Sequence, residues 1–231
     1  MSYQLPLGFT FNNDVSFDTF YTGNNTLVLK HLYASVDHRS EPLIYLWGTT
    51  GVGKTHLLQA ACQRVTTQAQ RVAFVPLREH QQLSPEMLTG LEQLQLVCID
   101  DVEAIKGLRD WEEALFHLYN RAQDTQLSLI ISGNVTPAIL GLELQDLVSR
   151  LGWGLVFHLH ALNDDEKLGA LQQRAKLRGM VLSDEVGHYL LKRYSRDTHA
   201  LFQLLDQLDK ASLTAQRKLT IPFVRDFIQV G

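Results

Sequence analysis

The most specific chemistry in the sequence belongs to Gly48, Thr49, Thr50, Gly51, Val52, Gly53, Lys54 and Thr55, which keep a G-x-x-x-x-G-K-[ST] spacing. Each residue type has a task in holding phosphate. Glycines let successive backbone N–H groups close on phosphate oxygens, the Lys54 ammonium reaches the terminal phosphates, and the Thr55 hydroxyl ligates Mg²⁺. The apolar run Leu43–Trp47 precedes the pattern and a helix is expected from near Gly53, so a helix dipole adds to the anion site. The motif reads as a binding loop for ATP or ADP with magnesium. A Gly-rich strand-to-helix turn without a ligand is the weaker reading.

A magnesium-bound nucleotide also needs a carboxylate. Leu96-Val97-Cys98-Ile99 runs into Asp100-Asp101, which puts two acids at a strand's C-terminal end. Asp100 is expected in the Mg²⁺ shell and Asp101 beside the attacking water, although its side chain is one methylene shorter than Glu. A further run ends in Ile130-Ile131-Ser132-Gly133-Asn134. Ligands of open parallel sheets sit at the C-terminal strand ends. Asn134 therefore either hydrogen-bonds the γ-phosphate or the water, or simply turns the chain.

These residues need a scaffold, and the hydrophobic pattern supplies one. Leu43–Trp47, Arg71–Pro76, Leu96–Asp100, Leu127–Ser132 and Leu155–His160 are short and almost continuously apolar, as parallel strands covered on both faces are. Helical patterns follow at His56–Val65, Trp111–Gln123 and Pro137–Leu151. The alternation implies crossover units and a doubly wound parallel sheet. Past residue 160 only helices are expected. Asn163 and Glu166 form a capping box, Ser183 caps the next helix, and Leu201, Leu204, Leu205 and Leu208 share one helix face. Pro222 suits the first turn of a final helix.

Composition narrows the class. The 231 residues are 45% hydrophobic and 20% charged, with net charge -4, which excludes wholesale disorder and argues against a strong bulk nucleic-acid binder. No run approaches the roughly 18–20 apolar residues of a membrane span. The first basic residue is Lys30, so no signal peptide is expected. Cys62 and Cys98 lie in apolar surroundings and read as reduced thiols of a cytoplasmic protein. The histidines show no metal-ligand spacing.

Taken together, Gly48–Thr55, Leu96–Asp101, Asn134 and the helical C-terminus resemble the AAA+ class of P-loop ATPases, and within it the family of the bacterial replication initiator DnaA. Phe17-Asp-Thr-Phe20-Tyr21-Thr-Gly23 is similar to that family's segment beside the nucleotide base. Ile44–Gly48 leading into Gly53–Leu58 is similar to its phosphate-loop surroundings, Asp146–Arg150 to its arginine-finger box, and Leu177–Val186 to its lid. Gln4-Leu5-Pro6-Leu7, Leu118–Arg121, Asp206–Asp209 and Ala215–Val224 resemble the regulatory-inactivator branch of the family.

The resemblance implies an α/β P-loop AAA+ module: a five-stranded parallel sheet flanked by helices, plus a small all-helical lid. It divides the chain into a clamp-binding peptide (1–15), a nucleotide-binding domain (16–160) and a lid (161–231). It assigns Arg150 as an arginine finger acting in trans and Asn134 as sensor 1. Phe20 and Tyr21 either contact the base or belong to the core. His199 stands where the family has its sensor-2 Arg, with Arg196 as the alternative, and a neutral His weakens γ-phosphate sensing and tilts the site toward ADP. Gln4, Leu5, Leu7 and Phe9 are expected to dock on the DNA polymerase III sliding clamp as an extended peptide. No helix-turn-helix DNA reader follows Gly231, so the expectation is a regulator of the initiator that reaches DNA mainly through the clamp, with little ATPase of its own and the option of self-association. A helicase loader or other self-assembling replication-complex remodeller is the alternative.

Overall fold

The computed structural model describes residues 15–38, 42–125, 127–195 and 197–230. Five strands, β1 (Leu43–Trp47), β2 (Val72–Pro76), β3 (Leu96–Asp100), β4 (Ser128–Gly133) and β5 (Leu155–His158), form one parallel sheet in the order β2-β3-β4-β1-β5. Alternation along each strand sorts side chains to two faces. Tyr45, Ala73, Val75, Val97, Ile99, Leu129 and Ile131 belong to one core. Ile44, Leu46, Phe74, Leu96, Cys98 and Ile130 belong to the other. Of the three interior strands, β3 and β4 are buried along their whole length, which is why their sequences read as almost unbroken apolar runs.

Each face is closed by helices. The first core takes Trp111, Leu115, Leu118 and Tyr119 of α3 (Arg109–Asp124) and Leu147 and Leu151 of α4 (Gln145–Leu151). The second takes α1 (Thr26–His38), through Val28, Leu29, Leu32 and Val36, and α2 (Lys54–Thr67), through Leu57, Leu58, Ala61 and Val65. The pattern at Pro137–Leu151 is not one helix. A 3-10 turn at Pro137–Ile139 is followed by Gly141 at φ 74, and α4 begins only at Gln145. Buried Leu140 and Leu142 in the break supply apolar spacing without helical backbone.

The described residues form two compact units, one ending at His160 and one starting at Ala161. The second comprises α5 (Asp164–Leu177), α6 (Asp184–Arg193), α7 (Thr198–Ala215) and α8 (Ile221–Val230). The Asn163–Glu166 capping box closes with bonds of 2.9 and 2.8 Å, and Ser183 and Asp197 cap α6 and α7. Leu201, Leu204, Leu205 and Leu208 of α7 pack with Leu171, Val186, Leu190 and Val224. Arg174 and Arg178 both grip Asp206, at 2.9 and 3.1 Å, and bind α5 to α7. Among the described residues no helix is long and apolar enough to cross a membrane.

Candidate nucleotide site

The loop Gly48–Thr55 leaves the C-terminal end of β1 between the ends of two neighbours. Gly48 N–H donates to Gly133 O at 3.3 Å, and Leu159 N–H donates to Trp47 O at 2.7 Å. A Cβ on Gly48 would lie 2.6 Å from Leu159 O, so that approach requires glycine. Gly53 has φ 98, and a Cβ there would stand 2.7 Å from the Phe20 ring. Thr49, Thr50 and Gly51 are exposed, Val52 is half-buried, and Lys54 turns inward at 6% exposure. Its ammonium donates to Gly48 O at 2.7 Å and Thr49 O at 3.2 Å. Burial lowers its pKa, against the pull of Asp101, Glu103 and Asp100. A buried ammonium held by neutral carbonyls inside an exposed glycine loop suits a phosphate group, which would supply the anionic partner.

Behind the loop the acids are wired together. Asp100, 3% exposed, accepts from Thr55 Oγ1 at 2.7 Å through one oxygen and from the Ser132 hydroxyl through the other. Ser132 Oγ in turn accepts the Asp101 N–H at 2.9 Å. Thr55 and Asp100 thus present a hydroxyl and a carboxylate side by side, a donor set that fits Mg²⁺ with the remaining positions left to water and phosphate. Ser132 was not anticipated as part of the site. Its signal in the sequence is a polar residue closing the apolar Leu129–Ile131 run.

Asp101 sits in the left-handed region, at φ 59 and ψ 57. Its carboxylate pairs with Arg78 Nε at 2.6 Å. Even so, burial first and Asp100 second push its pKa up to about 6, outweighing Arg78 and Lys54. Asp101 lies at the strand end where a water-activating base belongs, yet Arg78 already holds its charge. Nothing local in the sequence pairs Arg78 with Asp101; adjacency of β2 and β3 does. Asn134 is exposed at the end of β4, and its backbone N–H donates to Glu103 Oε2 at 3.2 Å.

The chain before α1 is pinned at two points. His56 of α2 is not the plain surface residue its position suggests: its Nε2 donates to Ser16 O at 2.9 Å, and its ring lies 5.7 Å from that of Phe20. Asn25, 1% exposed, accepts the His160 N–H at 2.8 Å and donates to His160 O at 3.1 Å. Phe20 consequently lies against the phosphate loop at Gly53, with Tyr21 half-buried next to it.

The remaining expected residues lie elsewhere. Arg150, at the end of α4, makes its contacts with Trp153 and Gln123 and none with the loop. His199 is exposed on α7, where Nε2 meets Gln203 Nε2 at 2.8 Å within the helical unit. Gln4, Leu5, Leu7, Phe9 and Arg196 lie outside the described residues.

Comparison with known proteins bears on both units. The family of the bacterial DnaA ATPase domain matches residues 11–158, and the family described as Hda, lid domain, matches residues 164–228. Domain III of the replication initiation protein DnaA from Thermotoga maritima is 21% identical, with a TM-score of 0.78 over 92% of this chain and 95% of that one. AMPPCP-bound DnaA from Aquifex aeolicus is 22% identical, with a TM-score of 0.75 over 86% of this chain and 66% of that one. The RuvB branch-migration motor of Thermotoga maritima is 19% identical, with a TM-score of 0.69 over 94% of this chain and 72% of that one. All three share the fold.

Proposed function

Because this chain belongs to the family of the bacterial DnaA ATPase domain and carries an Hda-type lid, as an Hda-like, DnaA-homologous AAA+ protein, we propose that it inactivates ATP-bound DnaA by supplying Arg150 to the initiator's nucleotide site. In this reading the chain binds ADP through Gly48–Thr55, with Thr55 and Asp100 toward Mg²⁺, and tethers to the sliding clamp through Gln4, Leu5, Leu7 and Phe9. Bound nucleotide adds its phosphate charge to the Lys54 pocket. The hydrolysis takes place in the partner, where the Arg150 guanidinium stabilises charge developing on the γ-phosphate oxygens. An arginine finger given in trans raises such rates by about 10³–10⁵-fold.

The observation that carries the reading is the placement of Arg150 within Asp146–Arg150. It lies in the last turn of a helix, points its guanidinium onto an exposed indole, and takes no part in the chain's own loop. A finger meant for another molecule has to be presented in this way. The Arg78–Asp101 pair supports little turnover by the chain itself. A second reading, a self-assembling loader or remodeller, draws on the full Lys54, Thr55, Asp100, Asp101 set and predicts robust ATPase by the purified chain alone.

Reconstitution separates the two. ATP-bound DnaA, clamp loaded on DNA and the full chain are combined, and phosphate release is measured with each component omitted in turn. Hydrolysis that requires all three supports the inactivator. Equal hydrolysis by the chain alone overturns it.

A further inference from the structure

The corner between α4 and β5 holds a tryptophan where a solvent-facing turn ordinarily carries polar residues. Trp153 is 63% exposed. Burial does not account for its place, and the folded unit gains little from it. What the ring touches is Arg150, whose guanidinium carbon lies 4.0 Å above the ring centroid. The guanidinium also meets Gln123 of α3, with Nη1 donating to Oε1 at 3.4 Å.

The backbone under the indole is closely determined. Gly152 N–H donates to Ser149 O at 3.1 Å and Trp153 N–H to Arg150 O at 3.0 Å, so the turn is tied to the helix end carrying the arginine. Immediately after it, a Cβ on Gly154 would collide with Leu43 O at the start of β1. The backbone of Trp153 is thus held between the end of α4 and the start of β1, in a position that sets its ring against Arg150.

An arginine side chain free in solvent samples many rotamers, and most point away from any one target. Stacking on an aromatic face removes that freedom, yet it uses only the π-surface of the guanidinium and leaves the N–H edge free to donate. A carboxylate partner would hold the charge equally well, but it would compete with the phosphate for the same N–H groups. No ion pair to Arg150 is found among the described residues. The indole restrains the group without neutralising it.

We infer that Trp153 is a positioning residue for Arg150, holding the guanidinium plane ready for a phosphate on another molecule. The inference rests on the reading of Arg150 as the finger. It acts on the maximal rate: a chain lacking the indole still docks, but fewer docked complexes present the guanidinium correctly.

The test measures phosphate release from ATP-bound DnaA with clamp loaded on DNA, titrating the full-length chain as wild type and as Arg150→Ala, Trp153→Leu, Trp153→Phe and the double variant Arg150→Ala/Trp153→Leu. Trp153→Leu is expected to lower the maximal stimulated rate about 3- to 30-fold, with the half-saturating concentration unchanged. Trp153→Phe keeps a π-face and is expected to restore most of the rate, whereas leucine of similar apolarity does not. Adding Trp153→Leu to Arg150→Ala should have no further effect. Full stimulation by Arg150→Ala overturns the finger reading itself. Loss with Arg150→Ala but a wild-type maximal rate with Trp153→Leu overturns the positioning role alone. A raised half-saturating concentration at unchanged maximal rate also overturns it, because the indole would then be a docking contact. ADP affinity and thermal midpoint are read for every variant, and a rate loss tracking either one counts against the inference.

Discussion

The loop end of the sheet and the α4–β5 corner treat charge in opposite ways. At the loop, Lys54, Asp100 and Asp101 are all 8% exposed or less, and each is matched inside the chain: Lys54 by two carbonyls, Asp100 by two hydroxyls, Asp101 by Arg78. At the corner the guanidinium of Arg150 leans on an exposed neutral ring. Buried charge must be compensated within the protein, and the compensation leaves a rigid frame into which a small ligand fits. A surface cation held by an aromatic face keeps its donors and its solvation, and its strongest complement is an anion brought by another molecule. In the proposed reading the first end binds for this chain and the second acts on a partner.

Separating the two ends by mutation is the most direct way to break that comparison. Arg150→Ala should lower stimulated hydrolysis of DnaA-bound ATP by about 10³-fold or more, while calorimetric titration with ADP gives wild-type affinity. A comparable loss of ADP binding would erase the distinction. Lys54→Ala should do the reverse at its source, weakening ADP binding by about 10- to 100-fold through loss of a charge-assisted contact, with the Arg150 corner unaltered in near-ultraviolet circular dichroism.

Smaller effects sharpen the comparison. Glu112 is a buried carboxylate, 1% exposed, that accepts Gly107 N–H at 2.9 Å and Leu144 N–H at 2.7 Å. It therefore anchors the start of α4, the helix that carries Arg150. Glu112→Gln replaces one acceptor by a donor facing an N–H, and should cost about 1–3 kcal/mol in chemical denaturation without changing nucleotide affinity directly.

Asp101 yields the smallest effect and a signed one. Its folded pKa of about 6 lies above the unperturbed 3.8. The folded chain holds a proton that the unfolded chain has released between those values. That contribution to stability is complete below about pH 4 and is lost as pH rises through about 6. Asp101→Asn should match wild type below pH 4 and exceed it by about 1–2 kcal/mol above pH 6, seen as a pH-dependent gap between denaturation midpoints. A gap that is constant with pH would show that the Arg78 pair, and not burial, governs the group.

Local patterns in the sequence account for much of the fold. The strand runs needed only continuous hydrophobicity, and the Asn163–Glu166 cap only a three-residue spacing, because these preferences act between near neighbours. Their ends shifted by a residue or two, as at Val72 and Ser128, where pairing with the next strand sets the limits. The break in Pro137–Leu151 was concealed because buried Leu140 and Leu142 serve the core in a loop as leucines do in a helix. Helix α1 was not anticipated, although Val28, Leu29, Leu32 and Val36 carry a legible apolar face. Ser132 left a trace as the polar end of an apolar run, but Arg78, His56 and Asn25 left none, because each acts on a residue brought near by strand order or helix packing.

The sequence by itself determined the chemistry on offer: a glycine loop with Lys and Thr, paired acids after an apolar strand, and an arginine at the end of the Asp146–Arg150 box. Those follow from residue type and close spacing, where covalent geometry leaves few alternatives. Only the tertiary structure decided how that chemistry is disposed. Placing β3 between β2 and β4 brings Ser132 to Asp100 and Arg78 to Asp101, and packing α4 beside α3 sets Arg150 between Gln123 and the exposed Trp153. Contacts across so many residues arise only when the two cores close on the sheet, since hydrophobic burial chooses the strand order and the charges are carried to their partners with it.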